Sequence, residues 1–300
     1  MSAPDTGEHP SNATAAIGLT VLAGLLYVLG YAMSRDLVTR HGLSPLQVTF
    51  LRCAIILAAG IALAAWPGSR VSPSRLLHPA RAWEQRAAAA ALVISNALAV
   101  LAYSLLSVTA ASALGFTAPL LLAVLGGLLL RERLSAGRVL GTLVGFAGML
   151  LIVRPGGEAG LAGIAAAFAA ALTYATYQIL VRRLRAVATT TDTVLQVALV
   201  GSVALAVPVV AGWQPVSPPA AALALLVTAV QTAALACIAA ALRRGEASRL
   251  APWQFTGLLW AMLLDAVVGH AAPAPLALLG AALVILGGIL AQRFGARPRP

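Results

Sequence analysis

The chain has 300 residues, of which 60% are hydrophobic and only 10% charged, and its mean hydropathy is +0.92. A soluble domain carries about 25% charged residues, so this composition excludes a soluble globular protein and indicates an integral membrane protein. The net charge of +11 comes from arginines that punctuate apolar runs and form no basic domain, so no nucleic-acid partner is expected.

Apolar runs follow one another along almost the whole chain. Residues 1–14 are polar and lack the basic stretch of a secretory signal, so they are predicted to form a cytoplasmic tail before a retained first span. Ten runs, spans 1–10, are long enough to cross a bilayer as helices. They cover 15–34, 44–66, 86–106, 110–130, 135–153, 161–181, 193–212, 219–241, 250–269 and 275–291. Membrane-barrel strands alternate every second residue, and these runs do not, so an all-α protein is predicted.

The positions of the arginines give the direction of the spans. Sixteen of them fall in segments on one side of the predicted membrane, including the Arg-rich tail at 292–300. Arg35, Arg40 and Arg154 fall on the other side, and Arg52 lies within span 2. Because loops rich in arginine stay in the cytoplasm, both termini are predicted to be cytoplasmic. Arginine replaces lysine throughout, which is typical of a GC-rich bacterial genome, so the predicted bilayer is a bacterial plasma (inner) membrane.

The two halves of the chain repeat each other. At a shift of 147 residues, three landmark pairs align: Tyr27 with Tyr174, Arg35 with Arg182, and Trp66 with Trp213. Glycines of span 5 recur in span 10 at a shift of 139. Each unit, 15–153 and 161–291, holds five spans, and this odd number makes the second unit enter the membrane from the opposite face. The sequence therefore predicts two inverted five-helix repeats, the layout of alternating-access transporters.

Two stretches resemble a known family. The run AASALGFTAPLLLAVLGGLLLRERLSAGRVLGTLVGFAGMLLIVRPG resembles the EamA module of the drug/metabolite transporter (DMT) superfamily. In that module an Ala- and Ser-rich helix with a proline leads through a Glu-Arg-Leu turn to a glycine-rich helix. The corresponding residues here are Pro119 in span 4 and Glu132, Arg133 and Leu134 on the turn. The stretch ASRLAPWQFTGLLWAMLLD, followed by Pro273, is similar to helices 9 and 10 of the same family.

The resemblance implies a fold and a site. It implies ten helices, a central cavity lined mainly by helices 1–4 and 6–9, and helices 5 and 10 packed behind it. One departure concerns the second unit, where the family usually has a glutamate two residues before the proline and this chain has Ala271. Glu132 is either a gate or coupling site, or a turn residue paired with neighbouring arginines at a helix start. The closely spaced glycines of spans 5 and 10 predict close helix packing.

Five polar side chains fall on the two equivalent helices that begin the units. Span 1 places Tyr27 and Tyr31 one turn apart, and span 6 places Tyr174, Tyr177 and Gln178 at the matching position. Tyrosines often mark the membrane interface, which is one interpretation. The other is that they line the cavity that the resemblance implies, and both stay open.

Three further residues are candidates for the same chamber. Asn96 and Gln231 lie in the middle of spans 3 and 8, where each either bonds across helices or faces solute. Trp260 is the midpoint of span 9 and is predicted to contribute to the chamber wall. These residues and the tyrosines are the predicted substrate-binding set, together with Gln254 at the start of span 9.

Two ionisable residues lie inside predicted spans, where a charge is costly unless it is paired or used. Asp265 lies about 22 Å into span 9, two-thirds of the way to the outer surface, by the 1.5 Å rise per residue of a helix. Gln254, eleven residues earlier, falls on nearly the same face. Arg52 enters span 2 from the same outer side and pairs helices, binds a substrate anion, or pairs with Asp265. Asp265 itself either bonds to a neighbouring helix or to Arg52, or acts as a coupling residue that takes up and releases a proton.

The predicted function is a permease that moves a small metabolite, amino-acid-like or related, by alternating access. The resemblance favours efflux, with coupling to protons or to solute exchange. No phosphate-binding loop is present, the four histidines are scattered, and no metal spacing occurs, so neither an enzyme nor a cofactor is expected. The alternatives left open are a membrane-embedded enzyme and an accessory subunit. A homodimer is also left open.

Overall fold

Helices make up the structure of this protein. The computed structural model describes residues 10–66, 73–118, 121, 125, 136–153, 160–184, 186–242, 244, 253–269 and 274–293. We number the helices of eight or more residues in these ranges as α1 Pro10–Thr39, α2 Pro45–Ala64, α3 Ala82–Leu105, α4 Val108–Gly115, α5 Ala136–Val153, α6 Leu161–Leu184, α7 Thr190–Ala211, α8 Pro218–Leu242, α9 Thr256–Gly269 and α10 Pro275–Arg293. A short helix, Pro73–Leu77, lies between α2 and α3. The same ranges contain no strand.

Six helices in the described ranges are long and apolar enough to cross a membrane: α1, α2, α3, α6, α7 and α8. Apolar segments of 10–17 residues lie in α5, α9 and α10. The prediction of an all-helical membrane protein is confirmed. Six rather than ten helices satisfy the length criterion, partly because about half of predicted span 4 and the first three residues of span 9 lie outside the described residues. Pro119, the turn at Glu132, and the 271–273 segment with Ala271 and Pro273 also lie outside them.

Polar residues set where several helices begin. Ser44 precedes α2, and its side chain accepts a hydrogen bond from the backbone N–H of Gln47. Pro45 occupies the first turn, where the backbone N–H that proline lacks would have no partner within the helix. Thr189 and Asp192 form a reciprocal capping box at the start of α7. These ends agree with predicted spans that began near 44 and 193. The helices extend beyond the apolar runs elsewhere, as in α1, because a helix satisfies its own backbone on both sides of the bilayer.

The helices pack in a pattern that treats the two halves alike. The most extensive pairings are α5 with α10, α3 with α6, α1 with α8, and α2 with α7. If each helix is exchanged for the equivalent helix five places along the chain, the α1–α8 pair becomes the α6–α3 pair. The same exchange leaves α2–α7, α4–α9 and α5–α10 unchanged. The largest core cluster lies among α1, α3, α4, α6, α9 and the α5–α10 pair.

Equivalent helices pack antiparallel. A Cβ added to Gly148 in α5 would lie 2.5 Å from the carbonyl oxygen of Gly280, at the start of α10. A Cβ added to Gly287, towards the end of α10, would lie 2.6 Å from the carbonyl oxygen of Gly141, at the start of α5. Only glycine permits backbones to approach so closely, which confirms that these glycines serve helix packing. The start of each helix meets the end of the other, so α5 and α10 run in opposite directions.

Candidate functional site

The four tyrosines of α1 and α6 come together. Tyr174 lies within electrostatic range of Tyr27, Tyr31 and Tyr177, and the rings of Tyr174 and Tyr177 stack at 5.9 Å. Tyr27 in turn lies within range of Arg52 on α2. We call Tyr27, Tyr31, Tyr174 and Tyr177 the tyrosine cluster. Tyr174 keeps 41% of its surface exposed although the other three tyrosines lie around it.

A fifth tyrosine extends the tyrosine cluster towards α4. Tyr103 on α3 is 8% exposed and stacks almost parallel on Tyr31, with ring centroids 4.7 Å apart. Its hydroxyl and the Ser112 hydroxyl lie 2.8 Å apart in a hydrogen bond. Sequence reasoning missed Tyr103. Its separation of nine residues from Ser112, across the short connection between α3 and α4, is the signal that could have found it.

Arg52 is held by an amide from the other half of the chain. Its Nη1 donates to Oε1 of Gln231 on α8, in a close contact. Gln231 is 7% exposed, and its Nε2 is buried with no hydrogen-bond partner among the described residues. The Gln231 side chain lies against Gly30 of α1, where an added Cβ would be 2.5 Å from its Cγ. This direct contact supports the interpretation that Arg52 and Gln231 pair helices.

Asp265 caps the beginning of α4. One carboxylate oxygen accepts from the backbone N–H of Val108 at 3.0 Å, and the other accepts from Thr109 at 2.6 Å. Ser107 accepts from the N–H of Ala110 at 3.2 Å, so the first three N–H groups of α4 all have acceptors. A carboxylate at a helix N-terminus is stabilised by hydrogen bonds and by the helix dipole.

The hypothetical pair between Asp265 and Arg52 is not formed in this structure. Within the described ranges, no hydrogen bond or ion pair joins the two side chains. Similar depth along two helices does not bring side chains together unless the helices are also rotated towards each other. Here α9 turns its carboxylate to α4, and α2 turns its guanidinium to α8.

Comparison with known proteins places the chain in a family. The EamA-like transporter family matches the chain twice, over residues 14–154 and 161–292. The chain belongs to the EamA-like transporter family. It is therefore a multi-pass membrane transporter of the drug/metabolite transporter superfamily, and the resemblance stated from its sequence is confirmed.

A solved structure shares the fold of this EamA-like chain. It is described as "Crystal structure of protein", is 24% identical, and superposes with a TM-score of 0.62 over 94% of this chain and 97% of that chain. At this identity the likeness speaks for the fold alone. No curated protein matches the chain.

The remaining predicted site residues of this EamA-like chain are spread over three helices. Asn96 is buried on α3, and Gln178 is half-buried on α6. Trp260 of α9 packs against the same core cluster as Tyr31, and its Nε1 is buried without a partner among the described residues. Two buried donors, on Trp260 and on Gln231, thus have no acceptor from the described chain.

Gln254 stands apart from the other predicted residues. It is exposed and precedes α9, which begins at Thr256. The Thr256 hydroxyl donates to the carbonyl of Trp253 at 2.7 Å, and the helix is interrupted at Phe255. A turn at Phe255 therefore separates Gln254 from α9 within predicted span 9, whose residues 250–252 lie outside the described ranges.

In the described part of the chain, no three His, Cys, Asp or Glu side chains group closely enough to hold a metal ion. The two cysteines, Cys53 and Cys237, are both free thiols. The candidate site residues therefore provide aromatic rings, hydroxyls, amide and indole donors, one guanidinium and one carboxylate.

Proposed function

We propose that this chain exports a small, amino-acid-like solute across the bacterial plasma membrane by alternating access between the units 15–153 and 161–291. One observation carries the proposal. The tyrosine cluster draws equal numbers of aromatic side chains from the equivalent helices α1 and α6, so both units contribute to one place. A solute bound between two such units is released to one side or the other as the units tilt.

The packing of equivalent helices supports the inverted arrangement. The α5–α10 pair is antiparallel. Cys53 of α2 meets Gly201 of α7, and Gly60, later in α2, meets Leu195, earlier in α7, so the α2–α7 pair is antiparallel as well. Inverted units need equivalent helices to run in opposite directions. The termini are proposed to be cytoplasmic, on the strength of the arginine distribution.

The proposed solute chamber is formed by aromatic and amide groups. The tyrosine cluster would supply flat walls that end in hydroxyl groups, and Asn96, Gln178, Gln231 and Trp260 are proposed to add amide and indole groups to the same chamber. A largely apolar wall with a few placed polar groups is typical of small-molecule sites. Gln254, exposed before α9, is proposed to meet solute only at the entrance.

Asp265 and Arg52 are proposed as the coupling residues, in a proton-coupled or exchange cycle. Asp265 holds the first turn of α4 through Val108 and Thr109. Tyr103, which stacks on Tyr31, lies within electrostatic range of Asp265. Protonation of the carboxylate would remove its charge from the helix terminus and weaken this cap. The change would pass through Tyr103 to the tyrosine cluster, so protonation of Asp265 would be linked to the solute site.

Metabolite profiling of cells with and without the chain tests the proposal. The solutes that accumulate in the medium only when the chain is present are then assayed with the purified protein in proteoliposomes. Uptake driven by an imposed pH gradient indicates proton coupling, whereas counterflow of solute without a pH gradient indicates exchange. A chain that alters no solute in cells and moves none of the candidates in proteoliposomes would contradict the proposed transport.

A matched pair of variants links transport to the site. Trp260→Phe removes the unpartnered buried indole donor and keeps an aromatic ring, so the KM for transport should rise while the folded fraction is unchanged. Trp83→Phe makes the same change on a side chain that is 82% exposed and should leave KM unaltered. Equal kinetics for the two variants would show that Trp260 does not face solute.

A further inference from the structure

Arg52 carries a charge that the described protein does not neutralise. It lies in α2, inside a predicted span, and within the described residues its side chain bonds only to the neutral amide oxygen of Gln231. No carboxylate in the described ranges lies within ion-pair distance, since the one on α9 is engaged at α4. A guanidinium has five N–H donors and no acceptor, so most of its donors remain available. An uncompensated charge at this depth is costly.

Arg52 fixes the orientation of the Gln231 amide and leaves the amide nitrogen without a partner among the described residues. Because arginine can only donate, the atom facing Arg52 must be the amide oxygen, and the amide nitrogen must point away. That nitrogen is buried and has no partner among the described residues. A buried donor without an acceptor costs about 1–3 kcal/mol. The Tyr27 hydroxyl, in electrostatic range of Arg52, adds a donor that can rotate towards a ligand.

We propose that Arg52, Gln231 and Tyr27 bind the carboxylate of the transported solute. This inference rests on the proposed function, and it assigns the chemical class of the solute's anchoring group. The side chains present a positive charge with an excess of donors, so the missing partner is an anion with several acceptor lone pairs. A carboxylate accepts two parallel N–H bonds from a guanidinium, and it is the anionic group of an amino-acid-like solute.

The anchor joins the two units. Arg52 belongs to the first unit and Gln231 to the second, so a carboxylate bound to both would hold α2 against α8. Gly30 is required at this place because a larger residue would displace Gln231. Binding of the solute would therefore stabilise one arrangement of the units over another, as alternating access requires.

Binding to the purified protein tests the anchor without relying on transport. Thermal unfolding is followed in nanodiscs of phosphatidylcholine with two matched pairs of probes: L-leucine with L-leucinamide, and succinate with succinamide. A ligand that binds only the folded state raises the unfolding temperature. At least one carboxylate should raise it, and its amide should not. Equal shifts from acid and amide, or no shift from either acid, would overturn the proposal.

Two variants separate binding from folding. Gln231→Glu supplies a carboxylate inside the protein, so Arg52 keeps a partner and the protein should fold, but solute carboxylates should bind about tenfold or more weakly, the loss expected for one charge-assisted hydrogen bond. Arg52→Gln should lose the carboxylate-dependent shift. Arg40→Gln, at an exposed arginine paired with Asp36, is the control and should retain it. A shift that survives Gln231→Glu and Arg52→Gln would mean that the contact only pairs helices.

Two other sources of an anion are distinguished in the same assay. If a lipid phosphate is the partner, nanodiscs of phosphatidylglycerol stabilise the native protein but not Arg52→Gln, and the acids add nothing. If inorganic phosphate stabilises the native protein and the carboxylates do not, the anchor takes phosphorylated solutes. Either result overturns the carboxylate assignment. Carboxylate binding without transport would sustain the anchor and contradict the proposed function, and transport of uncharged solutes alone would do the reverse.

Discussion

Asp265 offers a quantitative test of the α9–α4 contact. Replacing it with alanine removes the acceptors of two backbone N–H groups, on Val108 and Thr109. An unpaired buried donor costs about 1–3 kcal/mol, and loss of a helix cap alone costs about 0.5–2 kcal/mol. Asp265 is half-buried, so water can replace part of the loss. We expect Asp265→Ala to lower the free energy of unfolding by about 2–4 kcal/mol.

Asp192 is the matched control because it serves a helix terminus in an exposed place. Its carboxylate accepts from the Thr189 N–H at 3.0 Å and from the Thr189 hydroxyl at 2.8 Å, and these contacts are exposed. Water satisfies those donors when the side chain is removed, so Asp192→Ala should cost about 0.5–1 kcal/mol. Unfolding of both variants is measured in mixed micelles with increasing denaturing detergent, followed by tryptophan fluorescence.

Asp265→Ala should lose more stability than Asp192→Ala. Equal losses would mean that the donors of α4 find other partners and that Asp265 does not hold α4 in place. Asp265→Asn keeps one acceptor oxygen and removes the charge, so it should remain folded. If Asp265 couples transport to protons, this variant loses the pH dependence of concentrative transport. Normal transport by Asp265→Asn from mildly acidic to mildly alkaline pH would leave the carboxylate a purely structural role.

Three further predictions follow from the helix arrangement. Gly148→Ala places a Cβ against the backbone of α10 and should cost about 1–3 kcal/mol in the same unfolding assay, whereas Gly18→Ala, with nothing within 4 Å, should cost nothing. Tyr174→Cys should react with polar thiol reagents and be protected by solute, whereas Leu172→Cys, on the opposite face of α6 and 39% exposed, should react only with lipid-soluble ones. Reporters at both termini should be cytoplasmic and a tag within 213–218 external, and an external C-terminus would contradict the topology.

Helix positions and helix packing by small residues could be predicted from the sequence. The apolar runs gave the limits of α2 and α7 within a few residues, because Ser44 and Thr189 mark helix starts by local chemistry. The glycines of α5 and α10 predicted the contact between these helices, because only glycine fits where two helix backbones touch. Both signals are local, and each depends on residues close together in the chain.

The partners of the buried polar residues could not be predicted. Arg52 bonds to a residue 179 positions away, and Asp265 bonds to residues 156 and 157 positions away. Sequence spacing gives the depth of a side chain along its helix, but the rotation of that helix about its axis is set by packing against neighbours. That rotation decided between Arg52 and α4 as the partner of Asp265. The stacking of Tyr103 on Tyr31 of α1 depends on helix rotation in the same way.

The glycine contact between α5 and α10 has a consequence for the origin of the two-unit chain. Gly148 of α5 meets Gly280 of α10, and Gly141 of α5 meets Gly287 of α10. In the alignment of the halves, Gly141 corresponds to Gly280 and Gly148 to Gly287, so each unit presents the same patch and meets its own counterpart. Such an isologous surface can be built from two copies of a single sequence. The contact thus retains the geometry of a symmetric dimer of five-helix chains, which a duplicated and fused gene would inherit without having to invent a new interface.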